Sequence, residues 1–301
     1  MEDEKILKYG VHLMNAGNKD EAAKVFSVLA NSKDDEMKIQ AYDALLSILD
    51  QIKDYKVIMI LCDNGIKISQ TQKRMDNLAY FQIRKASAMS IKIGGWKYTR
   101  KMFKLSPDWF GFSTEEEEKR YKELDKKIKD IEQQVDTLCS ESLKNAKLAN
   151  NKKLLGMIYL YRSPIWKNRY SDLRVEQMTR TIGFLPHGRL RDMMEYSKED
   201  LRKIYHYDRE AVSDLKIAIN IFKEVGDNDS VSYCLNNLVN HYLLSYRYIE
   251  AFITLKKLEK SIQGIKDQEL LRNFKLLKSR LFTLNKNIPN YVEEYKDYMA
   301  E

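Results

Sequence analysis

Two groups of residues in this 301-residue chain have the types and spacing to hold a partner. The first is cationic: Lys97, Arg100, Lys101 and Lys104 fall at i, i+3, i+4 and i+7, one stripe of one helix, with the aromatics Trp96, Tyr98 and Tyr170 available. Such a stripe can hold nucleic-acid phosphates and stack bases, or hold an acidic protein tail; it is equally the pattern of a solvated helix face with Tyr98, Met102 and Leu105 behind it. The second group is polar and uncharged. Asn236 and Asn240 lie one helical turn apart, and Tyr233 lies one turn before Asn236. An Asn side chain offers both a carbonyl and an amide, so it can pair with an extended peptide backbone. Lys203 and Tyr207 are expected on the same surface, contributed by the preceding unit.

The basic charge is localised. Arg84 to Lys104 holds seven basic residues and no acidic one, and Lys152 to Asp192 holds nine against three. These windows carry +13, whereas the whole chain carries +8, so the remainder is −5. Catalytic residues are not evident. The GxxxxGK[ST], HExxH and GxSxG patterns are absent, and His12, His187, His206 and His241 are dispersed, with no two at i and i+4. No catalytic residue, metal ligand or cofactor is assigned, and an enzyme is not expected.

Eleven Gly and four Pro leave few breaks, so long helices with short connections follow. No apolar run approaches the roughly 18 residues of a membrane span, the longest being Val57 to Cys62. Membrane insertion is therefore not expected. An acidic MEDEK start and the scattered Cys62, Cys139 and Cys234 predict reduced, buried thiols and a cytoplasmic location.

Read in order, the chain predicts helix pairs at 4–16 and 19–30, at 35–51 and 55–69, and at 72–93 and 98–105, the last separated by a turn at Gly94 and Gly95. Pro107 ends this series. Thr114 and Glu117 have the spacing of a capping box, opening a long helix to about Ala149. Its apolar residues Tyr121, Leu124, Ile128, Ile131, Val135 and Leu138 alternate steps of three and four, a seam for a partner helix or a second copy of the chain or, preferably, for the rest of the same chain. Between Asn150 and Tyr196, Pro164 and Pro186 predict broken helices and a loop near Gly183 to Arg189. Helices follow from Ser197, around Ala218 and Ala251, and at 268–285 and 288–300.

Small and large residues recur at fixed offsets within these helices. Gly10 precedes Ala22 by twelve residues and Ala22 precedes Phe26 by four, with Gly17 at the turn between. Ala218 and Phe222, then Ala251 and Leu255, repeat the step of four, with Ala218 and Ala251 33 residues apart and Leu235, Leu238 and Tyr242 preceding Ala251. This pattern resembles the tetratricopeptide repeat (TPR), a helix pair of about 34 residues that stacks on its neighbours. The family's Trp, second Tyr and closing Pro are missing, Asp34 standing at the last. The resemblance implies that first helices line a concave groove, with Asn236 and Asn240 where bound peptides are often contacted.

The fold expected is all-α, a TPR-like antiparallel helix-pair superhelix (α-solenoid) with an irregular middle segment. Its divisions would be 1–105, 106–196 and 197–301, helix pairs flanking a long helix and an irregular basic segment. The function expected is a non-enzymatic adaptor or scaffold that binds a peptide or helix of a partner protein, acidic if it docks on the basic stripe. The alternatives are a nucleic-acid-binding accessory protein and a peptide-responsive regulatory receptor.

Overall fold

A computed structural model describes residues 2–105, 114–182, 198–265 and 267–285, and every regular element among them is an α-helix. In order these are α1 (Glu2–Asn15), α2 (Lys19–Leu29), α3 (Asp35–Ile52), α4 (Tyr55–Thr71), α5 (Met75–Leu105), α6 (Thr114–Leu148), α7 (Lys152–Ile182), α8 (Lys198–Glu224), α9 (Asn228–Leu244), α10 (Tyr248–Ser261) and α11 (Gln268–Asn285). No helix among them is long and apolar enough to cross a membrane.

Local chemistry sets the helix ends. Asp34, Asp54 and Asp227 stand just before α3, α4 and α9, and each accepts a hydrogen bond from an otherwise free amide, those of Glu36, Val57 and Ser230. Asp34, standing where the repeat pattern would have Pro, thus starts the next helix by capping it. Gly17 and Gly226 take φ of +83° and +74° at the α1–α2 and α8–α9 turns, a conformation that costs a residue with Cβ.

Each helix packs on its successor, and a second set of contacts joins α1 to α3, α5 to α7, α7 to α9 and α9 to α11. Among the described residues, no pair of even-numbered helices packs together as these odd-numbered pairs do. Between α3 and α5 polar side chains join the series: Arg74, at the entry to α5, pairs with Glu36, Tyr80 donates to Asp43 and Arg84 pairs with Asp50. Those acids lie at i, i+7 and i+14 of α3, one face of one helix. Apolar cores follow each other along the chain. One centres on Leu13, Ala22 and Phe26, another on Leu46, Ile58 and Phe81, a third on Ile83, Val135 and Ile158, and the largest on Phe222, Leu238 and Leu258.

Two expected breaks are not breaks. Gly94 and Gly95 lie inside α5, which runs from Met75 to Leu105 without the predicted turn. Each Gly costs a helix about 1 kcal/mol relative to Ala, but the packed Ile93 and Lys97 on either side hold the helix together. Likewise α7 runs from Lys152 to Ile182 through Pro164, where broken helices were expected. The lost amide bond costs about 3 kcal/mol, against which Ser163 donates to the Ala211 carbonyl of α8 at 3.1 Å and Ile165 is fully buried. The predicted long helix at Thr114 is present, its seam residues Ile128 and Val135 are buried, and Val135 packs in a core with this chain's own α5 and α7. The expected Thr114–Glu117 capping contact, the loop at 183–189 and the helix at 288–300 lie outside the described residues or side chains.

Candidate binding face

Helix α9 carries the predicted asparagines. Its core side, Cys234, Leu235, Leu238, Val239 and Tyr242, is buried between α8, α10 and α11, which leaves Tyr233 and Leu244 exposed and Asn236, Asn237 and Asn240 half-buried. Tyr233, Asn237, Asn240 and Leu244 follow one another at steps of four, three and four, one stripe of the helix. Tyr233 donates its hydroxyl to Asp267 at the entry to α11. Burial and that carboxylate push the Tyr233 hydroxyl pKa above its ordinary value. At Asp267 burial acts upward, but Tyr233 and the Leu270 and Glu269 amides outweigh it and hold the carboxyl below its usual range. Tyr233 is therefore a fixed, neutral aromatic. Asn236 Oδ1 is buried without a hydrogen-bond partner, and Asn240 makes no side-chain hydrogen bond among the described residues. The Asn236 oxygen is covered and cannot meet a peptide, whereas Asn240, half-buried with its amide unspent, offers what a peptide backbone can use.

Lys203 and Tyr207 do not join this stripe. They lie on α8, which packs on α7 more closely than on α9. Tyr207 stacks on Trp166 of α7, ring centroids 6.0 Å apart, with the Arg169 guanidinium 5.8 Å from its ring. Lys203 pairs with Glu199 one turn earlier on its own helix.

The basic stripe loses its first member. Lys97 is 6% exposed, and its ammonium sits 2.7 Å from Glu132 and 2.8 Å from Asp172, clamping α5 to α6 and α7. Its charge is spent inside the molecule and is withdrawn from any phosphate or acidic tail. Arg100, Lys101 and Lys104 continue α5, and their side chains lie outside those described.

Several interior clusters escaped the sequence reading. Arg84, 3% exposed, donates to Asp50 at 2.7 Å, Tyr161 at 2.9 Å, Tyr80 at 3.2 Å and the Leu46 carbonyl at 3.3 Å. Arg162 holds Asp214 with two bonds of 2.6 and 2.7 Å, and Trp166 donates to the same carboxylate at 3.0 Å. Burial outweighs these cations at both acids, so the Asp50 and Asp214 carboxyls sit above their ordinary pKa. On α9, the buried His241 bonds Asp208 at 2.8 Å, and Arg247 reaches the other oxygen at 3.3 Å. Nothing in composition or period marks such pairs, since their partners lie 33 to 52 residues apart. Cys62, Cys139 and Cys234 are free and buried, their thiols pushed by burial to a pKa of about 12. They are poor nucleophiles. No group of three His, Cys, Asp or Glu among the described residues is placed to hold a metal ion.

The chain matches no known family profile and no curated protein sequence.

Proposed function

We propose that the protein is a non-enzymatic scaffold that binds a peptide or helix of another protein along the face lined by its odd-numbered helices, a TPR-like superhelix. The observation that carries this reading is the series of contacts among odd-numbered helices without a matching series among the even ones, which supports one continuous inner wall. Tyr233 and Asn240 stand on that wall with a fixed ring and an unspent amide. Peptides bind such walls through an exposed aromatic anchor and main-chain hydrogen bonds.

Panning a random peptide library on the full chain and measuring the affinity of an enriched peptide tests it. Tyr233→Ala and Asn240→Ala are each expected to weaken binding by about tenfold, the loss of one anchor or hydrogen bond. Val28→Ser, on the exposed side of α2, is expected to leave binding unchanged. Peptides that bind equally well to all four proteins would remove the α9 stripe from the reading.

A further inference from the structure

The odd-numbered face holds a second feature far from α9. Between α1 and α3 lies a cleft of about 360 Å³, walled by Leu7, Val11 and Met14 of α1 and by Asp43, Ala44 and Ser47 of α3. Phe26, wholly buried, forms its floor, and it reaches that position because Gly10 has no Cβ: one placed there would meet the ring at 2.7 Å. Val11 is 44% exposed beside Leu7 and Met14, so water covers an apolar wall that a ligand would cover better, and Asn15 and Gln40 also line the cleft.

The opposite wall gives the ligand its sign. Asp43 is exposed, and Tyr80 Oη donates to its Oδ1 at 2.5 Å, which fixes the carboxylate and leaves Oδ2 open. Glu36 and Asp50, one repeat of seven away on either side, are matched by Arg74 and Arg84, but Asp43 forms no ion pair among the described residues. An apolar wall facing an oriented, uncompensated carboxylate suits a peptide in which an apolar side chain lies next to a cationic one.

We propose that the α1–α3 cleft is a binding site for a peptide carrying an apolar side chain beside a Lys or Arg, the apolar group seated on Leu7, Val11 and Met14 and the cation on Asp43. The inference rests on the odd-numbered face being the binding face and adds the chemistry that this end of it selects. It is the reverse of the acidic partner that a basic stripe would attract.

The test uses the full chain and a short, N-acetylated, fluorescein-labelled peptide of leucine, lysine and glycine, with a twin in which glutamate replaces lysine. Fluorescence anisotropy should show the lysine peptide bound and the glutamate twin unbound. Asp43→Asn, which keeps the shape and the bond from Tyr80, should weaken binding by about tenfold, as loss of one charge-assisted hydrogen bond does. Val11→Asp should weaken it at least as much, while Asp20→Asn, on exposed α2 surface, should leave it unchanged. Equal binding of the twins, wild-type affinity in Asp43→Asn, or no binding of the lysine peptide would overturn the proposal. Those results would leave the α9 stripe standing if library peptides still depended on Tyr233 and Asn240, so the two readings fail separately.

Discussion

The ends of this molecule and its middle are held together by different physics. At α1–α2 and α9–α10, small residues admit large ones: Ala22, Phe26, Ala251 and Leu258 are wholly buried, and the cores around them are mainly apolar, with Ser232, His241 and Thr254 buried on α9 and α10. In α5 to α8 the helices are longer, and the side chains between them include Arg84, Lys97, Arg169 and Asp214, each under 9% exposed. Arg169 pairs with Asp136 at 2.8 Å and lies 5.1 Å from the Trp166 ring, and Gln82 donates to Glu141 at 2.7 Å while accepting from Asn145 at 2.9 Å. Apolar contacts tolerate sliding. Buried charges do not, because a cation separated from its carboxylate in the interior has lost both water and partner. The middle of the chain is thus fixed in register, and the ends are fixed in shape.

The sharpest way to break this comparison is to remove one side of a central pair. Arg162→Ala should destabilise the protein by about 3–5 kcal/mol, since Asp214 is left charged and buried. Replacing both, Arg162→Met with Asp214→Leu, should recover most of that loss or exceed wild type, because desolvating the two charges costs more than an apolar pair of similar volume. Urea unfolding measures both. A double variant as unstable as the single one would show that the charges themselves hold the region.

Shape is tested next. Cβ on residue 65 would lie 2.6 Å from the Phe81 ring, so Gly65→Ala should cost about 1–3 kcal/mol by overpacking. Adding Phe81→Leu should relieve part of it, and strict additivity of the two losses would contradict the contact. A smaller effect of opposite sign is expected at Gly95, where Cβ would meet nothing within 4 Å. Gly95→Ala should stabilise by about 0.4–1 kcal/mol if the helix is continuous there, whereas a turn at 94–95 predicts destabilisation.

The least effect is one of pH. At Asp208 burial is outweighed by His241 and Arg247, which keep its carboxyl below the ordinary value, the reverse of Asp50 and Asp214. A depressed folded pKa stabilises above the unfolded value and is lost as pH falls through the folded one; a raised pKa stabilises in acid and is lost as pH rises through the folded one. Acidification from neutral therefore favours folding first at Asp50 and Asp214, and below about pH 4 it weakens the Asp208 contact. Hydrogen exchange at descending pH should show protection falling in α9 before α5 and α7. The opposite order would refute the assignment.

What could be read from the sequence follows the same division. The Gly10, Ala22 and Phe26 spacing placed α1 and α2 because a small residue facing a large one is local chemistry, recorded within sixteen residues. Gly65 and Phe81 repeat that interval and make the same contact between α4 and α5, a signal equally present in the sequence. In the middle, Gly94, Gly95 and Pro164 argued for breaks by local propensity, and tertiary packing overrode them. The shared stripe of Tyr233 and Asn240 on α9 follows from helical period alone. Lys97 differs from its sequence expectation because a basic stripe reads as surface until Glu132 and Asp172 from other helices are brought to it.

The central claim is that the odd-numbered helices form the face that takes a partner. A library-selected peptide carrying a photoreactive residue, cross-linked to the full chain and mapped by mass spectrometry, tests it most directly. Attachment is predicted on α9, α1 or α3, at or beside Tyr233, Asn240, Val11 or Asp43. Attachment concentrated on α2, α4 or α10 would contradict it.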